Sequence, residues 1–254
     1  MRLLVAELLK VRTAPRTAVG LTLGLLALVG LGAAATASEA GGDDRGATVG
    51  WDLLEVVSIA AIFTLIFGIL VVTWEYRHGT ITQTYLATPK RERVVGVKLV
   101  VAFMLGATLA AVAIAVVLVV ARFWLSYELE QGHWELAGRT VLGAALWGVL
   151  GAGLGALLQS QIGAIISAFV WFLVAEPLLG FTLGELTDSS IGDYFPGGAL
   201  DRLQETSQGV EIGSEEFLGE AEPYGLWAAA VLASAYAAAF AGLGMASALW
   251  RDVP

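Results

Sequence analysis

EYRHGTITQTYLATPKRERVVGVK, residues 75–98, is the longest polar interruption in the chain that carries net positive charge. It lies between two apolar runs, each long enough for a helix to cross a bilayer. Two such runs joined by a basic turn read as a membrane hairpin, and the lysines and arginines of the turn assign it to the cytoplasmic side.

Composition supports the same class. Of 254 residues, 57% are hydrophobic and only 15% are charged, with a mean hydropathy of +0.76, the profile of a polytopic membrane protein. The absence of cysteine removes disulfide frameworks and thiolate metal or redox centres. A net charge of −9 argues against a nucleic-acid partner, which requires a concentrated basic face. The apolar run after Arg16 is too long for a cleavable signal and lacks a cleavage site before a soluble domain.

Six apolar segments are expected as spans, at residues 18–37, 51–74, 94–121, 140–158, 161–183 and 225–250. Each approaches the roughly 20 residues that a helix needs to cross the hydrocarbon. The runs are continuous rather than alternating, which selects an all-α membrane protein over a barrel. With the N-terminus inside, the inner segments hold Arg2, Lys10, Arg12, Arg16, Arg77, Lys90, Arg91, Arg93, Lys98 and Arg251, ten of the fourteen basic residues. Only Glu7, Glu75, Glu92 and Asp252 of the 23 acids fall on that side. Trp51, Trp74, Trp124, Trp134, Trp227 and Trp250 all fall at expected water boundaries, as an aromatic belt does. Six spans with both termini cytoplasmic follow, and the whole chain reads as one transmembrane domain.

The flanking segments carry further expectations. In residues 1–16, Leu4, Leu8 and Val11 recur at helical spacing opposite Arg2, Glu7, Lys10 and Arg12. This pattern reads as an amphipathic interfacial helix ending near Pro15, or as an extension of the first span. In the fifth segment Glu176 directly precedes Pro177, and proline inside a helix removes a hydrogen bond and kinks or ends it. From Gln161 to Glu176 a helix rises only roughly 24 Å, so a broken helix is expected, with residues 177–186 forming a separate short re-entrant piece in the outer leaflet. The acidic extracytoplasmic segment 184–224 is long for a structureless connection, and a short interfacial helix is expected near residues 198–204. The loop 123–138, with Glu128, Glu130, Glu135 and His133, shows no site.

The chain carries no catalytic motif. The only lysines, Lys10, Lys90 and Lys98, lack a preceding glycine, so no phosphate loop exists and the chain does not hydrolyse ATP by itself. His78 and His133 fall on opposite sides of the membrane, which leaves no HExxH zinc site and no serine–histidine pair inside it. No metal site is expected, because the scattered outer carboxylates lack ligand spacing.

In the central loop, Glu75-Tyr76-Arg77-His78-Gly79-Thr80, followed by Leu86-Ala87-Thr88-Pro89-Lys90-Arg91, resembles the E-x-R-x-G-T signature between the second and third helices of type-2 ABC exporter permeases. The N-terminal AELLKVRT and the FPGGAL segment after the fifth span are similar to the same family, particularly its actinobacterial members. The resemblance implies a half-transporter in a bacterial plasma membrane. Two six-helix permeases, expected as a homodimer, pair in the lipid bilayer, and each receives a separate ATP-binding subunit that holds ATP and Mg; this chain itself holds no cofactor. It also implies a short coupling helix within residues 75–93, with Glu75, Arg77, Gly79 and Thr80 forming the element that engages the ATPase. Gly79 permits the change of direction, and Thr88-Pro89 suits the start of the next helix.

Glu176 is the candidate residue of a translocation path, since a carboxylate inside a span needs water, a partner or a cavity. A structural cap of the broken helix is the competing reading. Trp147 and Trp171, the two tryptophans away from the belt, are candidate cavity liners or ordinary packing residues. Glycines in the fourth and sixth spans, Gly148, Gly151, Gly153, Gly155, Gly242 and Gly244, allow close helix approach within or between subunits; the family resemblance implies a dimer seam at spans one and five, with which Gly20 and Gly24, spaced as GxxxG, are compatible. The function expected is export of a hydrophobic or amphipathic drug, antibiotic, peptide or lipid. A peptide-sensing immunity complex and an ion-coupled carrier are the alternatives, although no inverted repeat of the kind carriers use is visible.

Overall fold

The computed structural model describes residues 2–13, 16–39, 49–88, 90–125, 131–187, 191–204 and 225–250. Within them the protein is all-helical. Helix α1 spans Arg2–Thr13 and α2 spans Arg16–Glu39. Helix α3 spans Val49–Arg77 and contains a 3-10 turn at Val56–Ile59. The short α4, Ile81–Ala87, precedes the long α5, Arg91–Phe123. Helices α6, Gln131–Leu158, and α7, Gln161–Thr187, complete a second hairpin. A 3-10 turn at Ile191–Tyr194 and the short α8, Pro196–Gln204, lead towards the final α9, Leu226–Trp250. The helices α2, α3, α5, α6, α7 and α9 are long and apolar enough to cross a membrane.

Helix α6 occupies the middle, with 72% of its most apolar stretch buried against 17% for α2, α7 and α9 at the periphery. Its glycines explain how three neighbours reach it. Gly148 abuts the Ala102 backbone of α5, Gly151 the Leu65 backbone of α3 and Gly153 the Phe240 backbone of α9. A Cβ at Gly148 would fall 2.6 Å from Ala102 O, so only glycine permits this approach. Gly148, Gly151 and Gly153 are therefore used in packing within the chain. Gly242 and Gly20 face open space, while Gly24 packs on Phe63.

The bundle has a basic end and an acidic end. At the basic end Arg91 of α5 reaches the last turn of α9, its Nη1 donating to Ala248 O, and Arg77 of α3 reaches the start of α7 at Gln161. At the other end Trp51 stacks on His133 with ring centroids 4.3 Å apart. Trp124, Trp134, Trp227 and Trp250 lie near helix ends and stay largely exposed, as a belt requires.

Four expectations need correction. Helix α6 begins at Gln131 rather than Thr140, so His133 is a buried helical residue and not part of a loop; the polar Gln131, His133 and Glu135 concealed a turn that packs on Trp51. Residues 126–130, including Glu128 and Glu130, lie outside the described residues, as do Pro15, Pro89 and residues 205–224 of the acidic segment.

The second correction concerns α7, which runs through Pro177 without a break. Residues Trp171–Ala175 form a π-helical turn, and the Glu176 N–H donates to Trp171 O, five residues back. Widening one turn makes room for the proline ring and absorbs the missing N–H. The π turn takes up what would otherwise be a break.

The third concerns the separate short piece expected at residues 177–186: these residues continue α7, and the short helix packed in the bundle is α8. Helix α8 buries Pro196, Ala199, Leu200 and Leu203 against α6 and α9. Tyr236 Oη donates to Tyr194 O at 2.8 Å. Since Tyr236 lies ten residues into α9, the turn before α8 sits about 15 Å along that helix, close to its middle. The short helix expected near residues 198–204 is thus present, but it packs inside the bundle instead of lying on its surface.

The fourth is the orientation of α1. Its acidic residue points inward, with Glu7 only 2% exposed, while Val5 and Leu9 are exposed. A helix at a bilayer boundary can turn apolar residues to lipid and send a charge into the protein, provided that a partner waits there.

Candidate functional site

Glu7 belongs to a cluster of four charges drawn from α1, α3 and α5. Lys98 Nζ stands 2.8 Å from Glu7 Oε2 and 3.3 Å from Glu75 Oε2, and it also donates to Val71 O at 3.2 Å. Lys10 Nζ lies 2.6 Å from both Glu7 Oε1 and Glu75 Oε1. Glu7, Glu75 and Lys98 are buried, whereas Lys10 is partly open to solvent. Two carboxylates and two ammonium groups balance, which is the condition under which ions persist in a low-dielectric interior.

The charge balance is reflected in Glu7 and Lys10. Burial alone would push the Glu7 carboxyl up, but Lys98 and Lys10 overcome it and hold the group below its usual range. Burial likewise opposes the Lys10 charge, yet its hydrogen bonds to Glu7 and Glu75 raise it above the ordinary lysine value.

Directly beyond the cluster, α3 stops in a glycine cap. Gly79 has φ +66°, the Thr80 N–H donates to Glu75 O at 3.0 Å, and the Gly79 N–H donates to Tyr76 O at 3.3 Å. This Schellman pairing uses the left-handed residue to end the helix and redirect the chain into α4. Helix α4 is then fastened from three directions. Ile81 is buried, the Tyr76 and Tyr85 hydroxyls lie 3.2 Å apart, and the Arg91 guanidinium sits 5.2 Å from the Tyr85 ring centroid. Thr82, Gln83 and Leu86 face outward, with Leu86 79% exposed.

The four motif residues therefore divide. Glu75 points inward to the two lysines, and Arg77 is exposed and donates to Gln161 Oε1 at 3.2 Å, tying α3 to the start of α7. Gly79 makes the turn, and Thr80 is the exposed residue preceding α4. Glu75 and Arg77 do not pair with each other. An apolar crevice of about 630 Å³ opens beside the cluster between α1, α2, α3 and α4, with Trp74 and Leu3 among its walls.

Sequence reasoning treated Glu7 and Lys98 as charges that merely set orientation. Lys98 had left a signal, since it falls inside the apolar run 94–121, where a lysine requires a partner. Glu7 is likewise the one acid among the basic residues 2–16.

A second crevice, of about 810 Å³, lies between α3, α6, α7 and α8. Glu176 is 7% exposed there, and its Oε1 accepts a hydrogen bond from the Gly198 N–H at 2.9 Å. The carboxylate thus caps the first turn of α8, where the helix dipole favours an anion. A Cβ added at Gly197 would fall 2.5 Å from Oε1, so glycine there makes room for the cap. Trp171 stands close enough to stabilise the carboxylate, but no hydrogen bond of normal geometry reaches Oε2. Trp147 is 6% exposed in the same crevice, packs edge-on against Phe172 at 4.7 Å, and leaves its Nε1–H without an acceptor. The structure brings Glu176 and Trp147 together, while Trp171 is 39% exposed and does not line the crevice. Asp201 of α8, which sequence reasoning passed over, forms part of the wall.

Six apolar helices with α6 at their centre, a short α8 packed within the bundle and a buried charge cluster mark a multi-pass helical membrane protein. No family model, curated protein or solved structure matches the chain.

Proposed function

We propose that this chain is the membrane-spanning subunit of an ATP-driven exporter, with both termini and α4 in the cytoplasm, working as a pair of copies with two separate ATPase subunits. The observation that carries the reading is the mounting of α4. A helix of seven residues is too short to be stable alone, yet this one is fixed by Tyr85, Arg91 and the cap at Gly79 while its outer face stays uncovered. Its root passes directly into Glu75, and through Lys98 and Lys10 into α5 and α1. A force applied at α4 would then move three helices together rather than bend a loop. The type-2 permease resemblance of residues 75–91 supports the same assignment.

In this account Arg77 and Thr80 border the docking face, Gly79 sets its angle, and Glu75 transmits from behind it. The membrane subunit performs no covalent chemistry. ATP and Mg act in the partner, and closure of the paired ATPases converts a path open to the cytoplasm into one open to the exterior. The exposed apolar faces of α2, α7 and α9 are available to lipid and to a second copy.

The test is co-purification with an ATPase encoded alongside the chain. Leu86→Asp changes the uncovered face and touches none of the contacts that fix α4, so it is expected to abolish the complex and transport while leaving thermal stability unchanged. A complex and transport that survive Leu86→Asp and Gln83→Glu together would refute the assignment.

A further inference from the structure

We propose that the crevice between α3, α6, α7 and α8 binds a hydrophobic organic cation, with the charge held against Glu176 and the apolar body against Trp147 and Phe172. The inference rests on the exporter reading for its transport meaning, but the binding site stands on its own geometry.

The only charged side chains lining the crevice among the described residues are Glu176 and Asp201, with no lysine, arginine or histidine. The rest of the wall is mainly aliphatic and aromatic, including Leu65, Phe169 and Phe181. Anions and strongly hydrated ligands are disfavoured by such a lining, and a diffuse cation is favoured. Glu176 supplies the second observation. A residue that served only as a helix cap would have both oxygens satisfied, because an unpaired polar atom in an apolar interior is unfavourable. Here Oε1 caps Gly198 while Oε2, on a side chain more than nine-tenths buried, has Trp171 and Gly197 nearby but no hydrogen bond of normal geometry. The Trp147 Nε1–H, unpaired in the same space, can donate to an acceptor on the ligand.

A metal ion fits less well. No group of three or more histidine, cysteine, aspartate or glutamate residues comes together among the described residues, and hard cations take six or more oxygens. The volume, about 810 Å³, instead suits a drug-sized organic molecule. The open wall, with Ile62 44% and Leu173 60% exposed, lets such a molecule enter sideways.

The experiment uses the full chain in phosphatidylcholine nanodiscs and two probes of matched shape and opposite charge, tetraphenylphosphonium and tetraphenylborate. Saturable binding of the phosphonium, with no saturable binding of the borate, is expected. Glu176→Gln keeps an acceptor for the Gly198 N–H and should weaken phosphonium binding about tenfold or more with little change in melting temperature. Asp201→Asn leaves the α8 cap untouched and should weaken binding several-fold, so the comparison survives if the first variant fails to fold. Equal binding of both ions, or undiminished binding in the folded variants, overturns the proposal. No ATPase is needed for this measurement. Failure here with the ATPase complex intact would remove the cation site alone, and retained binding with no ATPase partner would remove the exporter reading alone.

Discussion

Replacing Lys98 with methionine isolates the contribution of the charge cluster. The substitution approximately preserves volume and removes one of two positive charges that face Glu7 and Glu75. The cluster then passes from balanced to a net −1, with the two carboxylates sharing Lys10, which is itself 46% exposed at its side chain. Removing one partner of a buried ion pair typically costs about 3–5 kcal/mol, because the remaining charge is stranded. For a chain of this size that corresponds to a loss of roughly 6–20 °C in melting temperature, at about 2–4 °C per kcal/mol. Adding Glu7→Gln restores the balance of one carboxylate to one ammonium, so the double variant should recover much of the loss. The assay is thermal unfolding of purified protein in detergent, read as a double-mutant cycle over Glu7 and Lys98. A shift below about 2 °C for Lys98→Met, or strictly additive effects of the two substitutions, would refute the view that these charges form one unit.

Further predictions follow from the same contacts. Gly148→Ala places a Cβ 2.6 Å from Ala102 O and should destabilise by about 1–3 kcal/mol; Gly242→Ala meets open space and should be neutral or slightly stabilising, both read by the same unfolding assay. The pH dependence has two limbs. The lowered Glu7 group contributes stability that is present above its ordinary value of 4.5 and is lost as pH falls through its lower folded value. The raised Lys10 group contributes stability that is present below 10.5 and is lost as pH rises through its higher folded value. Glu7→Gln should flatten the acid limb of a melting-temperature profile, and an unchanged acid limb would show that Glu7 is not responsible for it.

The six long apolar helices were legible because a helix in hydrocarbon needs an unbroken apolar run, and that requirement is written locally. The expected starts and ends departed most where polar residues belonged to a helix, as with His133, whose burial depends on Trp51 from a distant segment. Pro177 illustrates a different limit. Its sequence position predicts a lost hydrogen bond, but a π turn and a full break are both local answers to that loss. The choice between them depends on how α7 packs and on α8 returning to meet Glu176. Helix α8 itself could be placed on the sequence, whereas its descent into the bundle depends on the contacts of Tyr194, Gly198 and Leu200 with other helices.

The two candidate sites were legible to different degrees. Glu75, Arg77, Gly79 and Thr80 stood out as a motif, yet a motif gives no direction for its side chains, and Glu75 turns inward. Its partners Lys10 and Lys98 are 65 and 23 positions away, so their convergence is a property of the fold. Spacing places Glu7 with the charges of an interfacial helix, on the side facing water, whereas in the fold it turns to the protein and meets Lys98 and Lys10. Near a bilayer, lipid can take the apolar face, and that reversal explains the exposed Val5 and Leu9. Glu176 and Trp147 were each recognised singly as residues in need of an environment. The crevice that joins them is formed by four helices and has no linear signature.

Because the chain contains no cysteine, a single introduced thiol reports one position without background. Leu86→Cys, at the exposed edge of α4, should react with a membrane-impermeant maleimide in inverted vesicles but not in intact cells, and the ATPase partner should shield it. Labelling from outside intact cells, or labelling in inverted vesicles that the ATPase leaves unchanged, would contradict α4 as the cytoplasmic attachment point of an exporter.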